Sequence, residues 1–501
     1  MKRGKLQDAL NQVSDNYIAE AAQKPKRQVW RWAAPVAAVL VIAILLSTFW
    51  PFAQEGITVS NNSSNNTIAN DAVRQDYQVA TPVYPLMAQM PNWDDYDSDE
   101  KWDAYDLAWD AWKEGKKAQY DQPAGYADGT DPFFAQTLQA LLGDVGDGNA
   151  VCSPVNIYMA LAMLAQTTEG QSRQEIMDAL GCTDMTALQT QAGHIWNAHY
   201  CNDNATFLTL ANSLWLDGGL TYNEETAQAL ADSFYASVFR GDLGSDEMNQ
   251  ALRAWINDQT GGLLQEQAEG LSMDDQTVLA LASTIYYRCK WSSEFWDRAN
   301  TEEPFHSPSG DRTVTFMHAS LGHSYYWGDK FGAVSYSLDD GSKMWLILPD
   351  EGFAPDALLS DPQVLQLLQG SAYENKKDGM IIHLSLPKFD ICSDLDLQES
   401  LQAMGVRSVF TNQADFSAIL PEQTGVPGMN ACLSSAQHAA RVAIDEEGIT
   451  AAAYTVLMAA GAAPPPDQEI QEMDFTLDRP FLFVVESRDG LPLFAGIVNE
   501  P

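Results

Sequence analysis

A chain of 501 residues with 46% apolar side chains can bury a sizeable core and has room for more than one ordinary domain. Its 68 acidic residues outnumber 28 basic ones and leave a net charge of −40, a surface that repels phosphate backbones and excludes nucleic acid as a partner. Six scattered cysteines with no C-x-x-C pair exclude a zinc site. The apolar runs around most of them predict buried free thiols, with one disulfide or a reactive thiol as the alternative.

The charge is uneven along the chain. Residues 1–31 carry Lys2, Arg3, Lys5, Lys24, Lys26, Arg27 and Arg31 against Asp8, Asp15 and Glu20, a local balance of +4. From Trp32 to Phe52 there follow 21 residues without a charge. As a helix these span about 30 Å, the thickness of a bilayer core. Trp30, Trp32, Phe49 and Trp50 supply interfacial aromatics at both ends. The basic stretch ahead is too long for a cleaved signal peptide, and the exit FWPFAQE lacks a small-x-small site. Residues 32–53 are therefore expected to form one uncleaved transmembrane anchor. Positive flanking charge would place residues 1–31 in the cytoplasm and everything after residue 53 outside, at the cell surface.

Residues 54–130 read as a linker. Its first part, to residue 80, is rich in Asn, Ser and Thr and is expected to be a solvated spacer. Between residues 93 and 119 an acidic run precedes Tyr105, Trp109 and Trp112, spaced i, i+4, i+7. That spacing predicts a short helix with one aromatic face, docked on the domain that follows.

From residue 131 to 501 the texture is that of one domain. Leu138–Leu142 and Ile157–Leu164 have helical periodicity, whereas Thr277–Tyr287, Trp345–Leu348, Ile381–Leu386 and Phe481–Val485 read as strands. Helices and strands mix without regular alternation, which predicts an α+β architecture. No nucleophile elbow, H-E-x-x-H, P-loop or G-x-G-x-x-G is present. His194 and His199 are five apart, the wrong spacing for ligands on one helical face. The expectation is a non-enzyme without metal or cofactor.

Across residues 131–501 the chain resembles the serpin family. Asn149–Ala150–Val151–Cys152–Ser153–Pro154–Val155–Asn156–Ile157 is similar to that family's N-x-x-x-SPxSI segment, and Ala211–Asn212–Ser213–Leu214–Trp215 to its next strand. Asn249, Trp255, Asn257, Thr260 and Gly262 fit its IN-x-W helix, Lys290–Trp291 with Phe295 its K-W-x-x-x-F element, and Leu348–Pro349–Asp350 its LPD strand end. Leu386–Pro387–Lys388–Phe389 and the close from Asp478–Arg479–Pro480–Phe481 to Asn499 complete the set, in the family's order. The resemblance implies three β-sheets, eight or nine helices and an exposed reactive centre loop. It also implies a suicide-substrate inhibitor: a serine protease attacks the loop, forms an acyl-enzyme, and is trapped as the cut loop inserts into the central sheet.

The same resemblance places the loop's hinge at Glu446, Gly448, Ile449, Thr450, Ala451, Ala452 and Ala453. From Gly448 to Gly461 there is neither charge nor proline, as insertion requires. If Ile449 points into the core after insertion, strand periodicity would turn Ala451, Ala453, Thr455, Leu457 and Ala459 inward with it. Ile449 stands where the family favours Thr or Ser, and its bulk is expected to slow the first step. Family spacing sets the reactive bond at Ala462–Ala463, with Ala460 or Met458 as alternative cleavage positions. Alanine there suits an elastase-like protease with a shallow apolar pocket, held as a covalent complex. Ser153 and His438 match the family's shutter and Trp291 its breach. Asn156 and Ser283 depart from the shutter pattern, Asn156 replacing a serine and Ser283 an asparagine. A monomeric serine protease inhibitor on a bacterial cell surface is the expected function; a non-inhibitory surface binding protein with the same fold is the alternative.

Overall fold

The computed structural model describes residues 76–92, 102–274, 276–369, 373–422, 431–433, 436–449 and 471–501. The expected anchor at 32–53, the cytoplasmic segment, and the loop from Thr450 through Ala451, Ala452, Ala453, Ala462 and Ala463 lie outside the described residues. Among the described residues no helix is long and apolar enough to cross a membrane.

Two sheets carry the fold. The first runs β1 (Gln78–Ala80), β5 (Ala236–Gly241), β4 (Phe207–Asp217), β6 (Leu279–Lys290), β14 (Gly448–Ile449), β13 (Gln437–Ile444) and β12 (Phe389–Asp396). A short β3 (Cys201–Asn202) pairs with β4. The second sheet begins with β15 (Glu472–Thr476), β11 (Lys376–Pro387), β8 (Gly310–Trp327) and β9 (Phe331–Ser337). It continues through β10 (Lys343–Pro349), β16 (Phe481–Glu486), β17 (Pro492–Val498) and β2 (Ala150–Cys152), with β7 (Thr301–Ser307) beside β8.

Strand burial follows sequence pattern. β16 reads FLFVVE and is buried at every position, because both of its faces are covered. β12 instead alternates buried and wet residues, as an edge strand with one solvated face must. On β4, Leu208, Leu210, Leu214 and Leu216 join the main core, while Ala211 and Trp215 join a second cluster on the opposite face.

Ten α-helices occur among the described residues: α1 (Trp102–Tyr120), α2 (Asp131–Leu142), α3 (Pro154–Thr167), α4 (Gly170–Ala179) and α5 (Met185–His199) in the N-terminal half. α6 (Glu224–Phe234), α7 (Asp246–Gln259), α8 (Gln265–Gly270), α9 (Pro362–Leu368) and α10 (Gln398–Ala403) follow. α3 starts at Pro154, whose fixed φ suits the first helical turn, and is capped by Ser153, whose Oγ accepts from the Asn156 N–H at 3.3 Å. Almost every residue of α3 is buried beneath the first sheet. Trp255 and Ile256 of α7 cover its other face.

Three expectations need correction. The implied three sheets are two among the described residues, because β8 is 18 residues long and reaches β9 through Tyr326↔Ala333 and Trp327↔Gly332, joining two sheets into one. The helix count agrees with expectation, since nine of the ten helices among the described residues follow residue 130 and α1 precedes them. Gln78–Ala80, read as solvated spacer, is a strand that caps the β5 edge. Of the cysteines, Cys152, Cys201 and Cys289 are buried and Cys182 half-buried, but Cys392 and Cys432 are exposed, and all are free thiols. Cys392 falls on the wet register of β12.

The chain ahead of the domain is tied to it by specific contacts. Tyr84 packs against Trp196 and Tyr200, with ring centroids 5.0 and 5.3 Å apart. The Trp112 indole donates to Asp203 Oδ2 at 2.8 Å, and Lys116 Nζ lies 3.0 Å from the same oxygen. Asp203 is fully buried, so removing Lys116 would leave a carboxylate short of its charge partner.

Candidate functional site

Between β6 and β13 the first sheet is not continuous. Among the described residues these strands have no ladder directly with each other; only the two residues of β14 bridge them. Below β14 lies a cavity of about 270 Å³, bordered by Leu279–Thr284 of β6 and Gln437–Ala439 of β13, with α3 behind and α7 and α8 in front. Facing strand edges with unpaired backbone groups favour the addition of another strand.

The hinge closes one end of this cleft. Gly448 pairs with Lys290, and Ile449 pairs with Cys289 on one side and Ile444 on the other. Ile449 is buried at 1% exposure. The bulk expected to slow its insertion is already seated in the core. Gly448 has no alternative residue: a Cβ there would lie 2.2 Å from the Cys289 carbonyl oxygen and 2.8 Å from Lys290 Cα.

Backbone and side chains together hold the hinge. The Trp291 N–H donates to the Glu447 carbonyl at 2.9 Å, and its indole Nε1–H donates to the Asp445 carbonyl at 2.8 Å. The Phe295 N–H donates to the Glu446 carbonyl at 2.9 Å. Glu446 Oε1 receives Lys388 Nζ at 2.5 Å and also the Asn300 side-chain amide. Burial alone would raise the Glu446 carboxyl, but the bonds from Lys388 and Asn300 outweigh it and hold it below the usual carboxylate range.

A side-chain network spans the cleft's middle. The Ser153 N–H donates to His438 Nε2 at 2.9 Å, which places the imidazole proton on Nδ1. Burial lowers His438 to about 4 and keeps it neutral. The two departures from the family pattern bond each other. Ser283 Oγ lies 2.6 Å from Asn156 Oδ1 and 2.8 Å from Asn212 Oδ1, so one hydroxyl proton serves two amide oxygens. The Asn156 amide donates to the Ser283 carbonyl at 3.2 Å, and the Asn212 amide to the Phe234 carbonyl at 2.9 Å. The serine and the asparagine have exchanged places between α3 and β6.

The ladder also gives a register. From Cys289, opposite Ile449, to Leu279 at its far end, β6 presents eleven residues. Continuing antiparallel, these would take residues 449–459, and Ala459 would face Leu279. The eleven loop residues hold no charge and no proline. Burying a charged side chain there would carry a desolvation cost that these residues avoid.

Trp291, Glu446, Gly448 and Ile449 thus meet at one end of the cleft, and Ser153, Asn156, Ser283 and His438 at its middle. Sequence reading missed Asn212, Asn300, Lys388 and Asp445 as partners. Lys388 and Asn212 sit inside recognised motifs, so a signal existed; Asn300 and Asp445 carried none.

The serpin (serine protease inhibitor) family model matches residues 129–501. Serpin-ZX of Arabidopsis thaliana is 27% identical over 375 residues, covering 71% of this chain and 93% of that protein. The alpha-1-antiproteinase of Callosciurus caniceps is 26% identical over 407 residues, covering 79% and 94%. Among solved structures, the thermophilic serpin Tengpin in its native state aligns with a TM-score of 0.65 at 21% identity, covering 76% of this chain and 95% of that one. Thyroxine-binding globulin in complex with thyroxine aligns with a TM-score of 0.61 at 22% identity, covering 74% and 98%.

Proposed function

The chain belongs to the serpin family of serine protease inhibitors, and on that premise we propose that it traps a serine protease by inserting its cut loop into the first sheet. One observation carries this reading. Gly448–Ile449 is already paired on both sides at the head of an open cleft whose remaining length suits an uncharged strand. The protease serine would attack the Ala462 carbonyl carbon, form an ester, and release the amine of Ala463. Insertion would then outrun hydrolysis of that ester. Alanine before the bond and three prolines from Pro464 favour an elastase-like target with a small primary pocket.

Incubation with elastase-like serine proteases should give a covalent complex that survives denaturing electrophoresis, with release of a peptide beginning at Ala463. Digestion without complex would overturn the reading. A second reading, a non-inhibitory binding protein, is favoured by Ile449, whose seated bulk could lock the hinge. It predicts that cutting the loop leaves thermal stability unchanged.

The uncharged stretch 32–53 with its basic flank supports anchoring of the inhibitor on the outer face of a cell membrane. Alkaline carbonate extraction tests the anchor: the full chain should stay with the membrane, and a chain starting at residue 61 should not.

A further inference from the structure

The face of the second sheet nearest the bait bond in sequence carries an unusual charge arrangement. β15 begins at Glu472, nine residues after Ala463, so a protease engaged at the bond lies within about 30 Å of this strand even on a fully extended connection. β15 runs parallel to β11 with Asp474 opposite His383, and His383 lies opposite Ser320 of β8. Met473, Phe475 and Leu477 turn toward the core, and Glu472 and Asp474 turn to solvent.

Where β8, β11 and β15 run side by side, the outward positions hold these two carboxylates, two histidines and otherwise uncharged residues, with no lysine or arginine. Each histidine faces a glutamate: His383 Nε2 lies 3.5 Å from Glu472 and His318 Nε2 3.4 Å from Glu303 of β7. Glu472 is 63% exposed. The sequence leading to it repeats the sign, since residues 464–471 hold two further carboxylates, Asp467 and Glu469, and no basic side chain.

We infer that this face is a docking surface for the target protease, and that the target is a basic protein whose positive charge flanks the side of its cleft that holds the residues after the cut bond. The inference rests on the inhibitory reading and adds a partner chemistry to it. Complementary charge at this distance acts mainly on the rate of encounter, and salt screens it. Charged side chains on an end strand also keep it from pairing with other chains, a role that leaves encounter rates untouched.

The test compares two small-pocket serine proteases of opposite net charge. Their second-order inhibition rates are measured at about 0.05 M and about 1 M salt, where the screening length falls to roughly 3 Å. With the basic protease, Glu472→Lys with Asp474→Lys should slow inhibition roughly tenfold at low salt. The difference should vanish at high salt, and the stoichiometry of inhibition should not move. The acidic protease should react faster with the same variant. Asp144→Lys with Asp147→Lys, an equal charge change in the exposed loop after α2, should alter the rates less than twofold. Equal low-salt rates for wild type and the β15 variant, with covalent complex still forming, would overturn the docking surface and leave the inhibitory mechanism standing. Absence of covalent complex from the wild type with both proteases would overturn the mechanism, and the docking surface with it.

Discussion

At the hinge end of the cleft the sheet is held by backbone: β14 pairs with both neighbours, and main-chain groups of Trp291 and Phe295 bond the turn that leads into it. At the middle of the cleft, among the described residues, no strand bridges β6 and β13; the connection runs from His438 of β13 through Ser153 and Asn156 to Ser283 of β6. The two regions respond differently to a strand arriving from the hinge. Backbone pairing extends residue by residue, each new pair resembling the last. A side-chain network has one geometry and must rearrange as the strands part. On the proposed mechanism the hinge end would direct insertion, and the middle would resist it.

Cutting the loop should expose the contrast most strongly. With Ile449 already paired, ten added strand residues at roughly 1 kcal/mol each amount to about 10 kcal/mol, on the order of 20 °C in Tm. Calorimetry of intact and nicked protein measures this; identical melting would mean that the ladder stops at Ile449. Next in size is Gly448→Val, which drives a side chain into the Cys289 carbonyl. It should unseat β14 and slow insertion relative to hydrolysis by roughly tenfold or more, a barrier change of about 1.4 kcal/mol. Titration of a protease would read this as a higher stoichiometry of inhibition.

Ser283→Ala leaves two buried amide oxygens without their donor and should destabilise the uncut protein by about 1–3 kcal/mol. If the residues have truly exchanged roles, Asn156→Ser combined with Ser283→Asn should be milder than the sum of the single changes by about 1 kcal/mol. Denaturant melts of the four proteins decide it.

Acid separates the two regions by window. His438 has its folded value depressed from 6.5 to about 4, so its contribution is fully present above pH 6.5 and is lost as pH falls toward 4. The slope is at most about 1.4 kcal/mol per pH unit. Glu446 is also depressed, but from the carboxylate value of 4.5, so the hinge loses its contribution only at lower pH. Melting of wild type against His438→Gln should diverge between pH 6.5 and 4. A constant difference across that range would show that His438 does not control the middle of the cleft.

Much of the fold was legible because burial imposes periodicity. Ile157–Leu164 lies in α3, and Phe481–Val485 in β16, where the apolar pattern placed them. The inward turn of Ile449 is only a condition for the register that follows it in the sequence; the structure buries it. The strand at Gln78–Ala80 was not legible: its three residues carry no pattern, and it exists because the β5 edge offers unpaired groups. The exposure of Cys392 was hidden for a related reason, since a cysteine looks the same on either face of an edge strand.

The amino-acid order by itself determined most of the segments that are helix or strand, where glycine and small residues lie in the hinge, and that the stretch from Gly448 to Gly461 holds no charge. These are local properties, set by side-chain size, polarity and spacing. Only the tertiary structure decided that β6 and β13 stand apart, that Ser283 meets Asn156 of α3 and Asn212 of β4, and that Lys388 and Asn300 converge on Glu446. Those contacts join residues as many as 146 positions apart, and no local pattern encodes a partner that only the folded chain brings near.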